Sequence, residues 1–240
     1  RIMGVLNVTP DSFSDGGKNF DCGTAIAAAI DMRKAGADII DVGGVSTRPG
    51  SSAPSEAEEL DRVMPVIAAL AVEGAIVSVD TRRAVVMAAA LEVGAKIIND
   101  VSALTAEPDG LNVAARYAAP VVLVHMQGTP ETMQEAPTYD HVALDIFDYL
   151  EGRIAACEAA GIARQRLIVD PGIGFGKTMA HNLEIMRDVS LFHALGCPVL
   201  IGLSRKYFIA GLSAGETAVG RVPGSIAGAL HAISQGVQIV

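Results

Sequence analysis

A junction that recurs along the whole chain constrains the fold more than any other feature of the sequence. A helical pattern ends in glycine, a few residues follow, and a short apolar run begins. The glycines at these junctions are Gly36, Gly74, Gly94, Gly161, Gly196 and Gly236. Glycine ends helices readily because it adopts the left-handed backbone conformation without steric cost. Two junctions have nearly the same sequence, K-A-G-A-D-I-I-D-V at 34–42 and E-V-G-A-K-I-I-N-D-V at 92–101, which predicts one repeated βα unit.

Short apolar runs at regular intervals predict the strands of the fold. There are eight of them: Ile2–Asn7, Asp38–Gly43, Ile76–Asp80, Lys96–Asp100, Val121–Met126, Leu167–Asp170, Val199–Ser204 and Val237–Val240. Strict alternation with helical segments predicts parallel strands joined by right-handed crossovers. We therefore expect an α/β protein, a (β/α)8 TIM barrel formed by residues 1–240 as one domain, and the alternative is an open doubly wound sheet.

Two helical segments carry more detailed signals. One begins near Ser55, which forms a capping-box pattern with Glu58, and it contains Pro65, which should kink it. The other runs from about 139 to 160 and repeats apolar residues at helical spacing. These residues are Tyr139, Ala143, Ile146, Leu150, Ile154 and Cys157, and we expect them to form one buried face.

Composition limits the possible partners and location. Hydrophobic residues make up 50% of the chain and aromatic residues only 4%, which suits aliphatic strands covered by helices on both faces. A net charge of −9 argues against a nucleic acid or an anionic membrane as partner. Cys22, Cys157 and Cys197 lack the spacing of a zinc site or a disulfide framework, so we expect a cytoplasmic protein. Neither a membrane-spanning run nor a signal peptide is predicted.

Polar residues follow the predicted strands. They are Asn7, Asp41, Asp80, Asn99 with Asp100, His125, Asp170, and Ser204-Arg205-Lys206. In a barrel the carboxyl ends of the strands gather on one face, where the loops build the active site. Asp80, Asn99 and Asp170 could read the N–H edge of a flat, nitrogen-rich ring, because a carboxylate accepts two parallel donors. Arg48, Arg205 and Lys206 could supply positive charge for an anion.

Two loops near the expected site are rich in turn formers and polar side chains. The first strand leads into N-V-T-P-D-S-F-S-D-G-G at 7–17, and the second leads into a Gly- and Pro-bounded loop at 45–52. Loops this polar do not pack without a partner. We predict that both are mobile βα loops and that 7–17 acts as a lid.

Several long blocks resemble the dihydropteroate synthase family of the folate pathway. Besides 7–17, they are G-G-V-S-T-R-P-G at 43–50, S-V-D-T-R at 78–82, I-N-D-V-S at 98–102, H-M-Q-G-T-P-E-T-M-Q at 125–134, D-P-G-I-G-F-G-K at 170–177 and S-R-K-Y-F-I at 204–209. They occur in the family's order and extend from the first strand to the seventh helix. The resemblance implies a transferase that joins 6-hydroxymethyl-7,8-dihydropterin diphosphate to p-aminobenzoate and releases pyrophosphate.

The resemblance also implies roles for individual residues. The pterin would be held by Asp80, Asn99, Asp170 and Lys206, with Met126 and Phe175 as apolar walls. The diphosphate and p-aminobenzoate would be served by Thr47 and Arg48, and Asn7 would contact Mg²⁺ or pyrophosphate. Ser204, at the start of the seventh helix, would seat the p-aminobenzoate carboxylate, since helix N-termini favour anions. We also expect an SN1-like transfer, catalysed by Asp80, Asp170, Lys206 and Arg48, and a homodimer formed through the outer helices.

The sequence departs from the family pattern in two places. The family has an Arg-x-His pair just beyond the eighth strand, whereas this sequence ends at Val240, so we expect the last helix to be missing as well. Position 45 is Val where many relatives carry Glu, which we expect the loop to tolerate.

Other functions fit the motifs less well. The stretch G-I-G-F-G-K-T at 172–178 fails both the Walker and the dinucleotide patterns, and the five histidines lack the spacing of a metal cluster. Asp80 and Asp170 could form a glycosidase pair, but the chain has no Trp to stack on a sugar. A methyltetrahydrofolate-binding methyltransferase would use a similar Asp/Asn/Asp set without the Arg48 and Lys206 motifs. A pterin-binding protein without catalysis remains the other alternative.

Overall fold

The structure, a computed structural model, describes residues 1–9, 22–45, 54–130 and 132–240. Within these residues, one parallel sheet contains its strands in chain order: β1 (Met3–Asn7), β2 (Ile39–Gly43), β3 (Ile76–Asp80), β4 (Ile97–Asp100), β5 (Val121–Val124) and β6 (Leu167–Asp170). The helices are α1 (Cys22–Lys34), α2 (Glu56–Val72), α3 (Ala84–Glu92), α4 (Asp109–Tyr117), α5 (Val142–Ala159), α6 (Met179–Arg187), α7 (Tyr207–Gly211) and α8 (Val222–Ser234). The segments Arg164–Arg166 and Val189–Leu195 are 3₁₀ turns. No helix among the described residues is both long and apolar enough to cross a membrane.

The sheet closes on itself through the predicted seventh and eighth strands. These form isolated parallel bridges, Val169 with Val199 and Leu200 with Ile239. The Met3 N–H then donates to the Val240 carbonyl at 2.8 Å, which joins the last segment to β1. The prediction of a TIM barrel is therefore confirmed, and the open doubly wound sheet is excluded.

The bounds of some strands differ from the prediction. β5 ends at Val124 rather than Met126, although the His125 N–H still donates to the Asp170 carbonyl at 2.9 Å. Val199–Ser204 does not form a continuous strand. One reason is that the Val199 N–H donates to the side chain of Gln238 at 2.7 Å, which takes the place of a main-chain bond of the ladder.

The predicted helix ends are present. Each of the six junction glycines has a positive φ, between 70° and 118°. The capping box of α2 is formed, because the Ser55 N–H donates to the Glu58 carboxylate at 2.7 Å and the Glu58 N–H donates to the Ser55 hydroxyl at 3.3 Å. α2 continues through Pro65 as one helix. The predicted face of the 139–160 helix is buried from Ala143 to Cys157, whereas Tyr139 lies before α5 and is half-buried.

The core has two layers that follow from the alternation of side chains along each strand. In β2, Ile40 and Val42 belong to the large outer cluster between barrel and helices. Ile39 instead joins the inner cluster inside the barrel. That cluster comprises Ile39, Ile97, Val101, Val122, Val124, Leu200 and Ile239, with Met3, Met126, Ile168 and Phe175 packed against it. Asp41 lies two residues beyond Ile39 and therefore points into the barrel above this apolar floor.

The carboxylates of Glu59 and Glu107 accept hydrogen bonds from the residues that follow β3. The buried Glu59 of α2 accepts hydrogen bonds from the Thr81 hydroxyl at 2.5 Å and from the Arg83 guanidinium at 2.8 Å. Arg83 provides no side-chain cap for α3. Instead, the Ala84 N–H at the start of α3 donates to Glu107 at 2.7 Å, from the segment between β4 and α4.

Candidate active site

The strand register places three predicted site residues at one level. Asn7 is paired with Gly43, Gly43 with Asp80, and Asp80 with Asn99. All four lie at or near the C-terminal ends of β1 to β4, the end at which TIM barrels carry their active sites. The barrel therefore brings Asn7, Asp80 and Asn99 to the same mouth, as predicted.

Asp80 packs directly against the end of β2. A Cβ added to Gly43 would lie 3.2 Å from an Asp80 carboxylate oxygen, so glycine leaves room for the carboxyl group. Burial of that group raises the pKa of Asp80 well above its usual value, and the nearby carboxylates of Asp41 and Asp100 raise it further. A ligand that donates N–H groups to Asp80 would favour the ionised form and so be bound by it.

Asn99 joins Asp80 to a polar cluster inside the barrel. Its side-chain amide donates to the Asp41 carboxylate at 2.9 Å. Asp41 Oδ1, Ser78 Oγ and Asn99 Oδ1 are buried and find no hydrogen-bond partner within the described part of the chain. A buried polar atom without a partner costs about 1–3 kcal/mol, so this cluster suits a polar ligand or water. Burial raises the pKa of Asp41, and the nearby Ser78 hydroxyl and then the Asn99 amide oppose that rise.

Asp170 is buried at the end of β6 and shapes the loop that follows. It accepts the Gly172 N–H at 2.7 Å, which leaves its other oxygen for a ligand. Gly172 has a φ of 70°, and a Cβ there would collide with the His125 carbonyl oxygen, so only glycine fits. Burial raises the pKa of Asp170, and the positive charges of Lys206 and Lys177 oppose that rise.

Lys206 and the two predicted apolar walls lie beside Asp170. The Lys206 ammonium donates to the Ile173 carbonyl and lies 4.4 Å from the centre of the Phe175 ring. Although Lys206 is only half-buried as a residue, burial of its ammonium lowers its pKa to about 8, and Asp170 opposes that shift. Met126 and Phe175 both pack on the inner barrel cluster. The structure thus brings together Asp170, Lys206, Met126 and Phe175.

His125, which the sequence placed among the strand-end residues, forms a buried pair with Lys177, to which the sequence assigned no role. Lys177 Nζ lies 2.9 Å from His125 Nδ1. The His125 ring also contacts Tyr149 edge-on, with 4.9 Å between ring centres. Burial, and then the charge of Lys177, lowers the pKa of His125 to about 3. Burial lowers the pKa of Lys177 well below its usual value.

Ser204 does not begin a helix, and this prediction was wrong. It lies exposed in a turn, and α7 begins three residues later at Tyr207 and has only 5 residues. Arg205 follows with a φ of 55°, and its N–H donates to the Ser225 hydroxyl at 2.8 Å. The chain makes this turn instead of a helix because Arg205 is held in the left-handed region.

Some predicted residues lie outside the described residues. Thr47 and Arg48 belong to 46–53, and most of the predicted lid belongs to 10–21. In the segments that the structure describes, His, Cys, Asp and Glu side chains do not gather into groups of three that could hold a metal ion. Asn7 is exposed and offers a single amide oxygen.

Comparisons with known proteins agree with this geometry. The family described as "pterin binding enzyme" matches residues 3–240. The dihydropteroate synthase of Escherichia coli strain K12 is 48% identical over 242 residues, which cover 100% of this chain and 85% of that protein. A solved Xanthomonas albilineans dihydropteroate synthase with 4-aminobenzoic acid superposes with a TM-score of 0.93 at 45% identity, and covers 100% of this chain and 85% of its own. The same organism's enzyme in complex with 7,8-dihydropteroate gives 0.90 at 42% identity, over 100% and 86% of the two chains.

Fold and site together define a barrel enzyme of the pterin-binding class. The family match extends over nearly the whole chain, and the identity to curated relatives extends over all of it. The chain belongs to the pterin-binding enzyme family and, within it, to the dihydropteroate synthases.

Proposed function

We propose that this site joins the methylene carbon of 6-hydroxymethyl-7,8-dihydropterin diphosphate to the amine of p-aminobenzoate and releases pyrophosphate. The observation that carries the proposal is the common mouth formed by Asp80, Asn99, Asp170 and Lys206. The side-chain oxygens of the first three residues can accept hydrogen bonds from the N–H groups of a flat ring, and the Lys206 ammonium can donate to a carbonyl on that ring.

The pterin ring lies, in this proposal, above the inner apolar cluster and between two walls. Met126 and Phe175 pack on that cluster and would contact the faces of the ring. The free oxygen of Asp170 and the carboxyl of Asp80 would accept its N–H groups. The Lys206 ammonium, next to Asp170, would donate to its carbonyl oxygen.

The chemistry follows from the charges that develop when the C–O bond breaks. The methylene becomes positive and the leaving diphosphate becomes more negative, so the site must stabilise both. Asp80 and Asp170 would stabilise the cation, and Arg48 would stabilise the leaving group. We favour an SN1-like course, because an aniline amine is already unprotonated at neutral pH and no base is needed to activate it.

Mg²⁺ is the cofactor that we propose, and among the described residues Asn7 could supply one ligand to it. Magnesium ions in phosphate sites use few protein ligands and take several oxygens from water and from the phosphates themselves. Asn7, exposed at the end of β1, could supply one amide oxygen. When bound, the ion would neutralise charge on the departing pyrophosphate.

We propose that p-aminobenzoate binds after the pterin diphosphate. Thr47, Arg48 and Ser204 would line its pocket, and the diphosphate would draw the first two towards the mouth. A pocket that is completed only by the first ligand binds the second more weakly in its absence. The affinity for p-aminobenzoate should therefore rise at least about tenfold when pyrophosphate, Mg²⁺ and a pterin are present. Equal affinities measured by titration at fixed ionic strength would contradict this order.

We also propose a homodimer formed through the outer helices. α8 exposes an apolar stripe at helical spacing, with Ile226 56% and Leu230 61% exposed. Tyr207 and Leu212, at the start of α7 and just after its end, are exposed as well. A second copy of the chain would bury such a face. Leu230→Glu should sediment as a monomer. The control Val72→Glu, at an exposed position on α2, should sediment as a dimer. A dimer that survives Leu230→Glu would exclude this face as the interface.

The cytoplasm is the location that we propose, because Cys157 and Cys197 are buried thiols without a disulfide.

A pyrophosphate-release assay with the two substrates tests the main proposal. Release should require p-aminobenzoate and Mg²⁺. A pterin-binding protein without catalysis would bind the pterin and release nothing. A methyltransferase would turn over only a methylated folate, and either result would overturn the proposal.

A further inference from the structure

Lys177 is the most deeply buried lysine or arginine among the residues that the structure describes, and the proposed chemistry does not use it. The residue is only 3% exposed. Its Nζ lies 2.9 Å from His125 Nδ1, 3.3 Å from the His125 carbonyl oxygen and 2.9 Å from the Phe175 carbonyl oxygen. Among the described residues, none of the ion pairs includes it.

These contacts match the donors of a lysine ammonium. Burial lowers the pKa of Lys177, but the nearby charge of Asp170 opposes that shift and favours the ammonium. In that form the group has three N–H donors and no acceptor, and the three neighbouring atoms can all accept. The match requires His125 Nδ1 to be unprotonated, so the ring proton must lie on Nε2. The low pKa of His125 agrees, because it keeps the ring neutral at physiological pH.

Two of the three bonds join Lys177, in the loop after β6, to His125 in the loop after β5, and the third, to the Phe175 carbonyl, lies within the loop after β6. His125 immediately precedes Met126, the wall proposed from the loop after β5, and Phe175 is the wall proposed from the loop after β6. Lys206 holds the same loop at another point, through the Ile173 carbonyl. Lys177 therefore links the loops after β5 and β6.

We propose that Lys177 is a positioning residue for the ring pocket, which sets the distance between Met126 and Phe175 and fixes His125 as the Nε2–H tautomer. The identity of the ring rests on the proposed function. The link itself requires only that a flat ligand lie between the two walls.

The first test compares Lys177→Met with Lys96→Met. Methionine has a similar length and removes all three bonds, whereas Lys96 is an exposed lysine at the start of β4. Lys177→Met should weaken the binding of pteroic acid at least about tenfold and raise KM for the pterin diphosphate, with KM for p-aminobenzoate changed less than about twofold at saturating pterin diphosphate. Lys96→Met should behave as the wild type. Equal pteroic acid affinity in Lys177→Met and wild type, or an equal rise in both KM values, would overturn the proposal.

The second test uses the unmodified protein, so it does not depend on whether Lys177→Met folds. With ¹⁵N-labelled histidine, the His125 ring should show an unprotonated Nδ1 and a protonated Nε2 from about pH 5 to 8. An Nδ1–H tautomer, or titration near the ordinary histidine pKa, would overturn the proposal. If no pyrophosphate is released at all, the proposed function fails, but the ring shifts and pteroic acid affinity still decide the role of Lys177.

Discussion

Asp170→Asn gives the sharpest test of the ring pocket, because only one of the two carboxylate oxygens is hydrogen-bonded to the following loop. One oxygen accepts the Gly172 N–H at 2.7 Å, and asparagine can keep that bond with its own carbonyl oxygen. The other oxygen, which we propose accepts from the pterin, is replaced by an NH₂ group that can only donate. The substitution should therefore preserve the loop and remove one charge-assisted bond to the pterin.

The expected loss follows from the strength of such a bond. Hydrogen bonds to charged groups contribute about 1.5–3 kcal/mol, so Kd for a pterin analogue should rise about 10- to 150-fold. Calorimetry at fixed pH and ionic strength measures this change, and circular dichroism checks the fold. Asp148→Asn, at an exposed position of α5, is the matched control and should leave Kd unchanged. Unchanged affinity in a folded Asp170→Asn protein would refute the assignment of Asp170 to the pterin.

Three further substitutions test other parts of the molecule. Arg48→Lys keeps the charge but loses the planar guanidinium fork, so kcat/KM should fall; a wild-type value would make Arg48 only a loop residue. The pKa of Lys206 is lowered to about 8, so its ammonium loses its charge as pH rises through about 8. The affinity for a pterin analogue should therefore decline over that range in the wild type and stay constant in Lys206→Arg. A wild-type affinity that does not change with pH would contradict the reasoning. Gly172→Ala should lower the free energy of unfolding by at least about 2 kcal/mol, because residue 172 has a positive φ and its Cβ would collide with the His125 carbonyl. Gly152→Ala, in open space within α5, is the control and should raise the free energy of unfolding by about 0.5–1 kcal/mol. Equal denaturation midpoints for the two variants would refute the steric argument.

The alternation of strands and helices was readable from the sequence because it is a local property. Each helix end needed a left-handed residue, and glycine marks such positions directly. The seventh and eighth strands were located correctly, but they form isolated bridges instead of the continuous ladders that the sequence predicted. The side chain of Gln238 takes the N–H of Val199, and such a long-range substitution leaves no local signal.

The site was predicted well where a residue ends a strand and less well where distant elements combine. Asp80, Asn99 and Asp170 follow apolar runs, so their position at or next to the C-terminal ends of their strands was a consequence of the barrel. Asp41 was noted as a strand-end residue, but its bond to Asn99 joins residues 58 positions apart. Lys177 belongs to the family block at 170–177 and to a nucleotide motif that failed, and neither assigned it a role. Its pairing with His125, across 52 positions, becomes visible only in three dimensions.

The start of α3 has a consequence for how the barrel assembles. The Ala84 amide is satisfied by Glu107, 23 residues later in the chain, beyond β4. A chain that has not yet reached Glu107 would leave the first turn of α3 with an unmet donor and prone to fray. The α3 unit is thus completed by the unit that follows it, so we expect the start of α3 to open together with the segment that contains Glu107. In native-state hydrogen exchange, the amides at the start of α3 should share their opening free energy with α4, as members of one cooperative folding unit.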